Sequence, residues 1–222
     1  MAHEGKHEGK KSAGRIPADL PLDLEYLTRI DANDFLTALP LEDARVESAD
    51  ASGTEIAALS LVGCVLERVT LAQSKVQSAL VRDVRLVKCD LSNAVLSGFE
   101  ARRVEFIDCR LLGMKLIACR WQDVLVENCD ARYAQFNGVV KSCEFKGTRL
   151  DEADLRGVNL EGTTFNDASL RRADLSGARL NTTNLRGAEI DGLVVRAEDL
   201  RGALVTPPQA MDLARLLGLV IG

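Results

Sequence analysis

Two histidines and six cysteines are the side chains of this chain best suited to bind a metal or act as nucleophiles. His3-Glu4-Gly5-Lys6-His7 matches the H-E-x-x-H pattern of zinc proteases. That pattern binds zinc only when a helix places both imidazoles on one face. Gly5 and Gly9 weaken such a helix, and no third histidine follows. We therefore expect no zinc catalysis, and the alternative is adventitious metal binding by a flexible tail.

The cysteines all occupy one position of the five-residue pattern described below, two residues before its centre. They are Cys64, Cys89, Cys109, Cys119, Cys129 and Cys143. None lies in a C-x-x-C pair, and no histidine accompanies them, so zinc or redox chemistry is the less favoured alternative. We expect small buried hydrophobes that stay reduced in the cytoplasm.

The remaining polar residues form no catalytic constellation. The sequence has no glycine-rich phosphate loop and no Ser or Cys nucleophile with a base at hand. A set of carboxylates directly precedes pattern centres, which predicts solvated or corner-bonding groups rather than acid–base catalysts. These are Asp50, Asp90, Asp130, Asp154 and Asp174. We expect no enzyme activity, no cofactor and no metal.

Composition limits the other classes. The 222 residues are 46% hydrophobic and 27% charged, which is typical of a globular protein, and the net charge is −5. No apolar run approaches the roughly eighteen residues of a membrane span, and the N-terminus lacks the apolar core of a signal peptide. We expect a cytoplasmic protein that contacts no membrane. Aromatic residues make up only 4%, which disfavours direct nucleic-acid binding by base stacking.

The sequence repeats every five residues, most clearly from Ala153 to Gly187. This repeat determines the secondary structure that positions these side chains. Each unit opens on a small residue and has a bulky apolar residue at its centre. From Val46 to Val205 the pattern has 33 centres, none of them charged, with one step of four residues from Phe136 to Val140. Random placement would put about nine charges there, so the period is real.

A period of five matches neither an α-helix nor an alternating strand. Two inward residues per unit, spaced two apart, suit a very short strand. Twelve of the 17 glycines lie two residues after a centre, which predicts a corner there. Short strands separated by corners predict a solenoid.

The pattern resembles the A-(D/N)-L-x-x motif of the pentapeptide-repeat family. The resemblance implies an all-β fold, a right-handed quadrilateral β-helix with four pentads per coil and a short C-terminal α-helix. It implies about eight coils, a rod about 40 Å long. Cysteines twenty residues apart would then stack, and Trp121 would be a core residue. The predicted core ladder includes Leu91, Leu111, Trp121, Phe136, Phe145, Leu155 and Leu175.

We divide the chain into four segments. Residues 1–15 form a flexible tail, and residues 16–43 an N-terminal cap, with a partner-binding arm as the alternative. Residues 44–205 form the solenoid, and residues 206–222 a helix and an apolar tail. Thr206-Pro207-Pro208-Gln209 predicts a capping box, with the helix running to about Leu217 and ending at Gly218.

This C-terminus resembles that of the mycobacterial fluoroquinolone-resistance and Qnr-like branch of the family. The resemblance implies a head-to-head homodimer formed by apolar residues of the last segment. These are Met211, Ala214, Leu217, Leu219, Val220 and Ile221.

Two functions follow from these observations. The first is a non-catalytic protein-interaction solenoid whose partner the sequence does not identify. The alternative, from the resemblance, is a DNA-mimicking modulator of type II topoisomerase (DNA gyrase) that protects against quinolones or a toxin. Charge favours the first, because residues 44–205 carry 22 Lys and Arg against 23 Asp and Glu. One face even has a basic set, which a DNA mimic would avoid: Arg82, Arg102, Arg103, Arg120 and Lys141.

Overall fold

The computed structural model describes residues 15–216 and 218–220, which wind into a parallel β-solenoid of about seven turns with one short C-terminal helix. Fifteen short strands form the wall, and the helix α1 spans Pro207–Leu216. The strands are β1 (Thr28–Ile30), β2 (Leu41–Glu42), β3 (Ala44–Glu47), β4 (Glu55–Ile56), β5 (Leu59–Val62), β6 (Val65–Glu67), β7 (Lys75–Val76), β8 (Ala79–Val87), β9 (Val95–Ser97), β10 (Phe99–Ile107), β11 (Lys115–Gln122), β12 (Leu125–Glu127), β13 (Gln135–Lys141), β14 (Glu144–Lys146) and β15 (Thr164–Asn166).

Four pentads make one turn, because residues twenty apart pair in parallel along most of the solenoid. Val46 pairs with Leu66, for example, and Leu86 with Phe106. The predicted all-β solenoid is therefore confirmed. Eight strands stack on the face that contains β3, from β1 to β15, and the stack continues as single bridges at Asn184. The expected eighth coil lacks regular strands, since its last pentads include the 3-10 helix Ala197–Leu200.

The corners of the solenoid require a left-handed backbone. Between Asp43 and Gly202, every residue with such a φ lies two residues after a pentad centre. Glycine adopts this conformation at no steric cost, which explains why the glycines share one phase. Other residues also adopt it, including Asp83 (φ 54°) and Asp123 (φ 58°), whose carboxylates accept hydrogen bonds from the N-terminal segment.

The four-residue step in β13 is absorbed as a bulge in β11. Leu116 pairs with Phe136 and Cys119 with Gly138, so β13 has one residue fewer than β11 at this corner. The amide of Ala118 donates to Asn137 Oδ1 (3.3 Å). Beyond the bulge the pairing offset becomes nineteen residues, which keeps Val140 in register beneath Trp121.

The N-terminal segment pairs with the solenoid before the pentads begin. Strand β1 pairs with β3 and β2 pairs with β5, so parallel pairing starts at Thr28 rather than at Ala44. Phe35 is almost fully buried beneath the first turn. Covering the first turn in this way leaves only the three-residue strand β1 at this end of the sheet, and a short edge strand limits unwanted pairing.

The C-terminal helix begins and ends with the predicted signals. Gln209 Oε1 accepts from the Thr206 amide (2.9 Å), and the Gln209 amide donates to Thr206 Oγ1 (3.4 Å), which confirms the capping box. Gly218 has a left-handed φ of 86°, and the Leu219 amide donates to the Ala214 carbonyl (3.0 Å). Within the described residues, no helix is long and apolar enough to cross a membrane.

Candidate interaction surfaces

The interior of the solenoid is filled by pentad centres and by the residues two positions before them. All seven residues of the predicted core ladder are at most 3% exposed: Leu91, Leu111, Trp121, Phe136, Phe145, Leu155 and Leu175. Trp121 stacks on Phe106 (centroids 5.5 Å apart) and meets Phe99 and Phe136 edge to face (5.8 and 5.6 Å). These geometries are the favoured ones for aromatic pairs.

All six cysteines are free and buried. Burial raises the pKa of Cys119 to about 11 and that of Cys143 to about 12. A hydrogen bond with Cys129 and burial raise the pKa of Cys109 to about 12. At neutral pH these groups are thiols rather than nucleophilic thiolates. The described residues contain no cluster of three or more His, Cys, Asp and Glu arranged to hold a metal, while His3 and His7 lie outside the described residues.

The carboxylates that precede pentad centres bond to their own corners. Asp50 Oδ1 accepts the Ser52 amide (2.9 Å), Asp90 the Ser92 amide (2.8 Å), and Asp174 the Ser176 amide (2.9 Å). Asp130 accepts hydrogen bonds from both the amide and the guanidinium of Arg132, and Asp154 accepts the same pair from Arg156. The side-chain bonds from Arg132 and Arg156 hold the pKa values of these two carboxyls below their ordinary value. These groups are therefore structural acceptors and poor general acids.

A ladder of three carboxylates binds residues 15–19, which we call the strap. The Ile16 amide donates to Asp123 Oδ1 (3.3 Å), the Ala18 amide to Glu105 Oε1 (3.4 Å), and the Asp19 amide to Asp83 Oδ1 (3.0 Å). All three acids are under 9% exposed. They lie on successive turns, so the strap runs along the solenoid axis.

Arginines balance the charge of this ladder. Glu105 contacts Arg85 (2.9 Å) and Arg15 (3.3 Å), and Asp83 accepts two bonds from Arg103 (2.6 and 2.5 Å). Burial acts to raise the pKa of Asp83, but the bonds from Arg103 and the Asp19 amide outweigh it, and the pKa is lowered. The sequence does not reveal this ladder, because contacts between residues 64 to 107 positions apart have no periodic signal.

An open trough of about 400 Å³ crosses the outer face formed by β8, β10, β11 and β13. Its floor is the backbone of Val81, Ala101 and Trp121. Outward side chains of β8, β10, β11 and β13 form its two walls. One wall consists of Arg82, Arg102, Gln122 and Lys141, and the other of Leu80, Glu100, Arg120 and Val139. Four cations and one carboxylate therefore line a trough in a chain of net charge −5.

A third surface lies at the C-terminal end. The inner side of α1 buries Leu213, and Gln209 Nε2 donates to the carbonyls of Leu185 (2.7 Å) and Ala188 (2.8 Å). These bonds fix the helix on the last turns. A shallow apolar groove remains beside it. It is lined by Leu200, Ala203, Val205, Ala210, Leu213, Ala214 and Leu219.

Four of the six predicted interface residues lie in the described part of this surface. Met211 and Leu219 are about half exposed, and Val220 is fully exposed. Ala214 is half-buried against the groove. Leu217 and Ile221 lie outside the described residues, as does most of the predicted tail 1–15.

Comparisons with known proteins agree with the repeat. Residues 79–155 match the pentapeptide repeat region model, and residues 148–187 match pentapeptide repeats in eight copies. No curated protein matches the chain.

Two solved structures are similar in arrangement. Full-length QnrB1, a plasmid-mediated fluoroquinolone resistance protein, is 20% identical over 86% of this chain and 95% of its own, with a TM-score of 0.45. HetL, a pentapeptide repeat protein involved in heterocyst differentiation regulation from the cyanobacterium Nostoc sp. strain PCC 7120, is 18% identical over 78% of this chain and 92% of its own, with a TM-score of 0.30. Residues 79–187 of this chain therefore consist of pentapeptide-repeat family domains.

Proposed function

We propose that this chain is a non-catalytic protein-interaction solenoid. The observation that carries the proposal is the filled interior of the described solenoid, in which apolar side chains and buried cysteines pack without space for a substrate. Its interior polar side chains are hydroxyls such as those of Thr148, Thr163 and Thr183, which donate to backbone carbonyls, while its charged groups lie on the outer faces or at corners. Solenoids bind partners with such long, regular outer surfaces.

A partner search tests this proposal. The full chain is immobilised and exposed to a lysate of the organism that encodes it, and each retained protein is then purified and titrated against the free chain. The expected result is direct, saturable binding of at least one protein. Failure of every retained protein to bind in the purified titration would contradict the proposal.

We also propose that two copies associate through the C-terminal surface. Its support is an exposed apolar cluster on and beyond α1: Met211, Leu216, Leu219 and Val220. Clustered apolar exposure of this kind often marks an interface, whereas scattered apolar residues do not. Two rods joined at these ends would present a continuous surface of twice the length.

The alternative function is a DNA-mimicking modulator of DNA gyrase. The same C-terminal surface favours it, because the dimeric rod it would build has the elongated form that a DNA mimic needs. The basic wall formed by Arg82, Arg102 and Lys141 opposes it, since a phosphate mimic needs a negative potential. A gyrase supercoiling assay, with and without ciprofloxacin, decides the matter. If the chain neither inhibits gyrase nor protects it from ciprofloxacin at micromolar dimer concentration, this alternative is ruled out.

A further inference from the structure

The trough contains a stack of two like charges that no carboxylate bridges. Arg82 on β8 pairs directly with Arg102 on β10. Directly opposite like charges destabilise a sheet. Arg82 Nε lies 3.8 Å from Asp83, but that carboxylate already accepts two short bonds from Arg103. Among the described residues, Arg102 has no ion pair, and no carboxylate bridges the two guanidinium groups.

Two acidic stacks elsewhere in the solenoid show how this fold resolves the same conflict. Asp154 stacks on Asp174, and Arg156 lies 2.6 and 3.8 Å from the two carboxylates. Glu47 stacks on Glu67, and Arg45 lies 3.9 and 3.4 Å from them. In each case at least one side chain of opposite charge contacts both carboxylates of the stack. The stack of Arg82 and Arg102 departs from this rule, and such departures concentrate at functional sites.

We propose that the trough binds an acidic amphipathic helix of a protein partner, with a carboxylate of that helix bridging Arg82 and Arg102. This inference rests on the proposed interaction function and names the surface and the chemistry of its partner. The open trough gives access to both guanidinium groups, which are exposed. Arg–carboxylate pairs are short, directional and specific.

The spacing of the basic wall suits a helix lying along the solenoid axis. Neighbouring strands are about 4.8 Å apart, and a helix rises about 5.4 Å per turn. The spacing of carboxylates one helical turn apart therefore differs from the spacing of arginines on neighbouring strands by only about 0.6 Å. The long, flexible side chains of Arg82 and Arg102, on adjacent strands, absorb this difference.

The walls favour a protein helix over a nucleic acid. Leu80 is half exposed in the trough, and Val139 lies at its other end, so apolar side chains of a partner can be buried there. The trough offers no exposed aromatic ring on which a base could stack. Arg120 is paired with Glu100 (3.1 Å) and Lys141 with Glu161 (2.7 Å), which leaves few cations for phosphates.

Fluorescence anisotropy with two probes tests the proposal. One probe is a labelled helical peptide of about 20 residues with Glu at one-turn spacing and Leu beside it. The other is a labelled oligothymidylate of similar length. We expect the peptide to bind the full chain and Arg102→Glu to weaken it by at least about tenfold. Arg102→Gln should have a smaller effect, because it removes the charge without reversing it.

Lys88→Glu is the matched control. Lys88 is exposed, has no ion pair among the described residues, and lies at a different corner of the same turns. Lys88→Glu changes the net charge by the same amount as Arg102→Glu and should leave peptide binding unchanged. Arg102→Glu also removes the like-charge stack, so its urea midpoint should equal or exceed that of the unchanged chain, which excludes unfolding as the cause.

Three outcomes would overturn the proposal: no peptide binding, equal binding by the Arg102→Glu variant, or tighter binding of the oligothymidylate with the same dependence on Arg102. The interaction function has a separate test. A purified partner that binds unchanged and Arg102→Glu chains equally would leave that function intact and refute only this site.

Discussion

At the scale of single residues, Trp121 is the largest side chain of the interior and contacts aromatic rings on three sides. Truncation leaves a cavity between turns that the stacked strands cannot close, since their spacing is fixed by hydrogen bonds. We expect Trp121→Ala to lower the free energy of unfolding by about 3–5 kcal/mol. Urea unfolding followed by circular dichroism measures this.

Leu80→Ala is the control for that experiment. Leu80 lies on the strand next to β10 but points to solvent, so its removal should change the free energy of unfolding by less than about 0.5 kcal/mol. Equal effects of the two substitutions would mean that the indole does not support the core.

Gly138 is the residue that makes the four-residue step possible. Its φ is 133°, and a Cβ there would lie 2.8 Å from Cys119 N and closer still to Cys119 O. The clash is with backbone that belongs to the neighbouring turn, so it cannot be relieved by a rotamer change. We expect Gly138→Ala to cost more than about 2 kcal/mol, measured by urea unfolding.

Gly157→Ala provides the comparison, because a Cβ at Gly157 meets nothing within 4 Å. Only the left-handed φ of 68° is then unfavourable, at about 1 kcal/mol. If the two alanine variants were equally stable, steric closure at the bulge would not be the reason for glycine at position 138.

Burial in the interior could be predicted from the sequence, because every fifth residue faces the same way and a solenoid has one interior. The hydrogen bonds from corner amides to Asp50, Asp90 and Asp174 were among the predicted alternatives, because these residues share one position in the repeat. The bonds from Gln209 to Leu185 and Ala188 could not be predicted. They depend on where α1 docks, and no repeat specifies the position of an element that occurs once.

At the scale of elements, the strap is attached through carboxylates, and its attachment should therefore depend on pH. The charged groups that face one another here are Asp83, Glu105, Asp123, Arg15, Arg82, Arg85, Arg103 and Asp19. The pKa of Asp83 is lowered from 3.8 in the folded chain. Its stabilising contribution is therefore complete above pH 3.8 and is lost as pH falls through the lower folded value.

A spin label at Ile16→Cys measures strap attachment. Ile16 is exposed and bonds Asp123 only through its amide, so the label preserves the contact, while the six native thiols are buried. We expect a spectrum of restricted motion at neutral pH and a mobile spectrum once the pH has fallen through the lowered folded pKa of Asp83, before circular dichroism reports global unfolding. A label that stays restricted until the solenoid unfolds would show that the ladder does not control the strap.

The sequence left open whether residues 16–43 are a cap or an arm. The structure shows two kinds of contact for this segment, and neither has a signal in the sequence. Strand β1 and Phe35 cover the first turn, whereas the strap lies along three turns. Asp83, Glu105 and Asp123 occupy ordinary corner and strand positions, so their pattern in the chain does not differ from that of solvated acids. Only the fold shows that they face one segment.

At the scale of the whole molecule, the apolar C-terminal surface should set the oligomeric state. We expect the full chain to be a dimer and the double variant Leu219→Glu, Val220→Glu to be a monomer, because opposed carboxylates would be desolvated in the interface. Light scattering after size-exclusion chromatography measures the mass. Tyr26→Glu, an equally exposed position near the other end, should leave the dimer intact. An unchanged dimer mass in the double variant, with an unchanged urea midpoint, would place the interface elsewhere and remove the structural basis for a double-length rod.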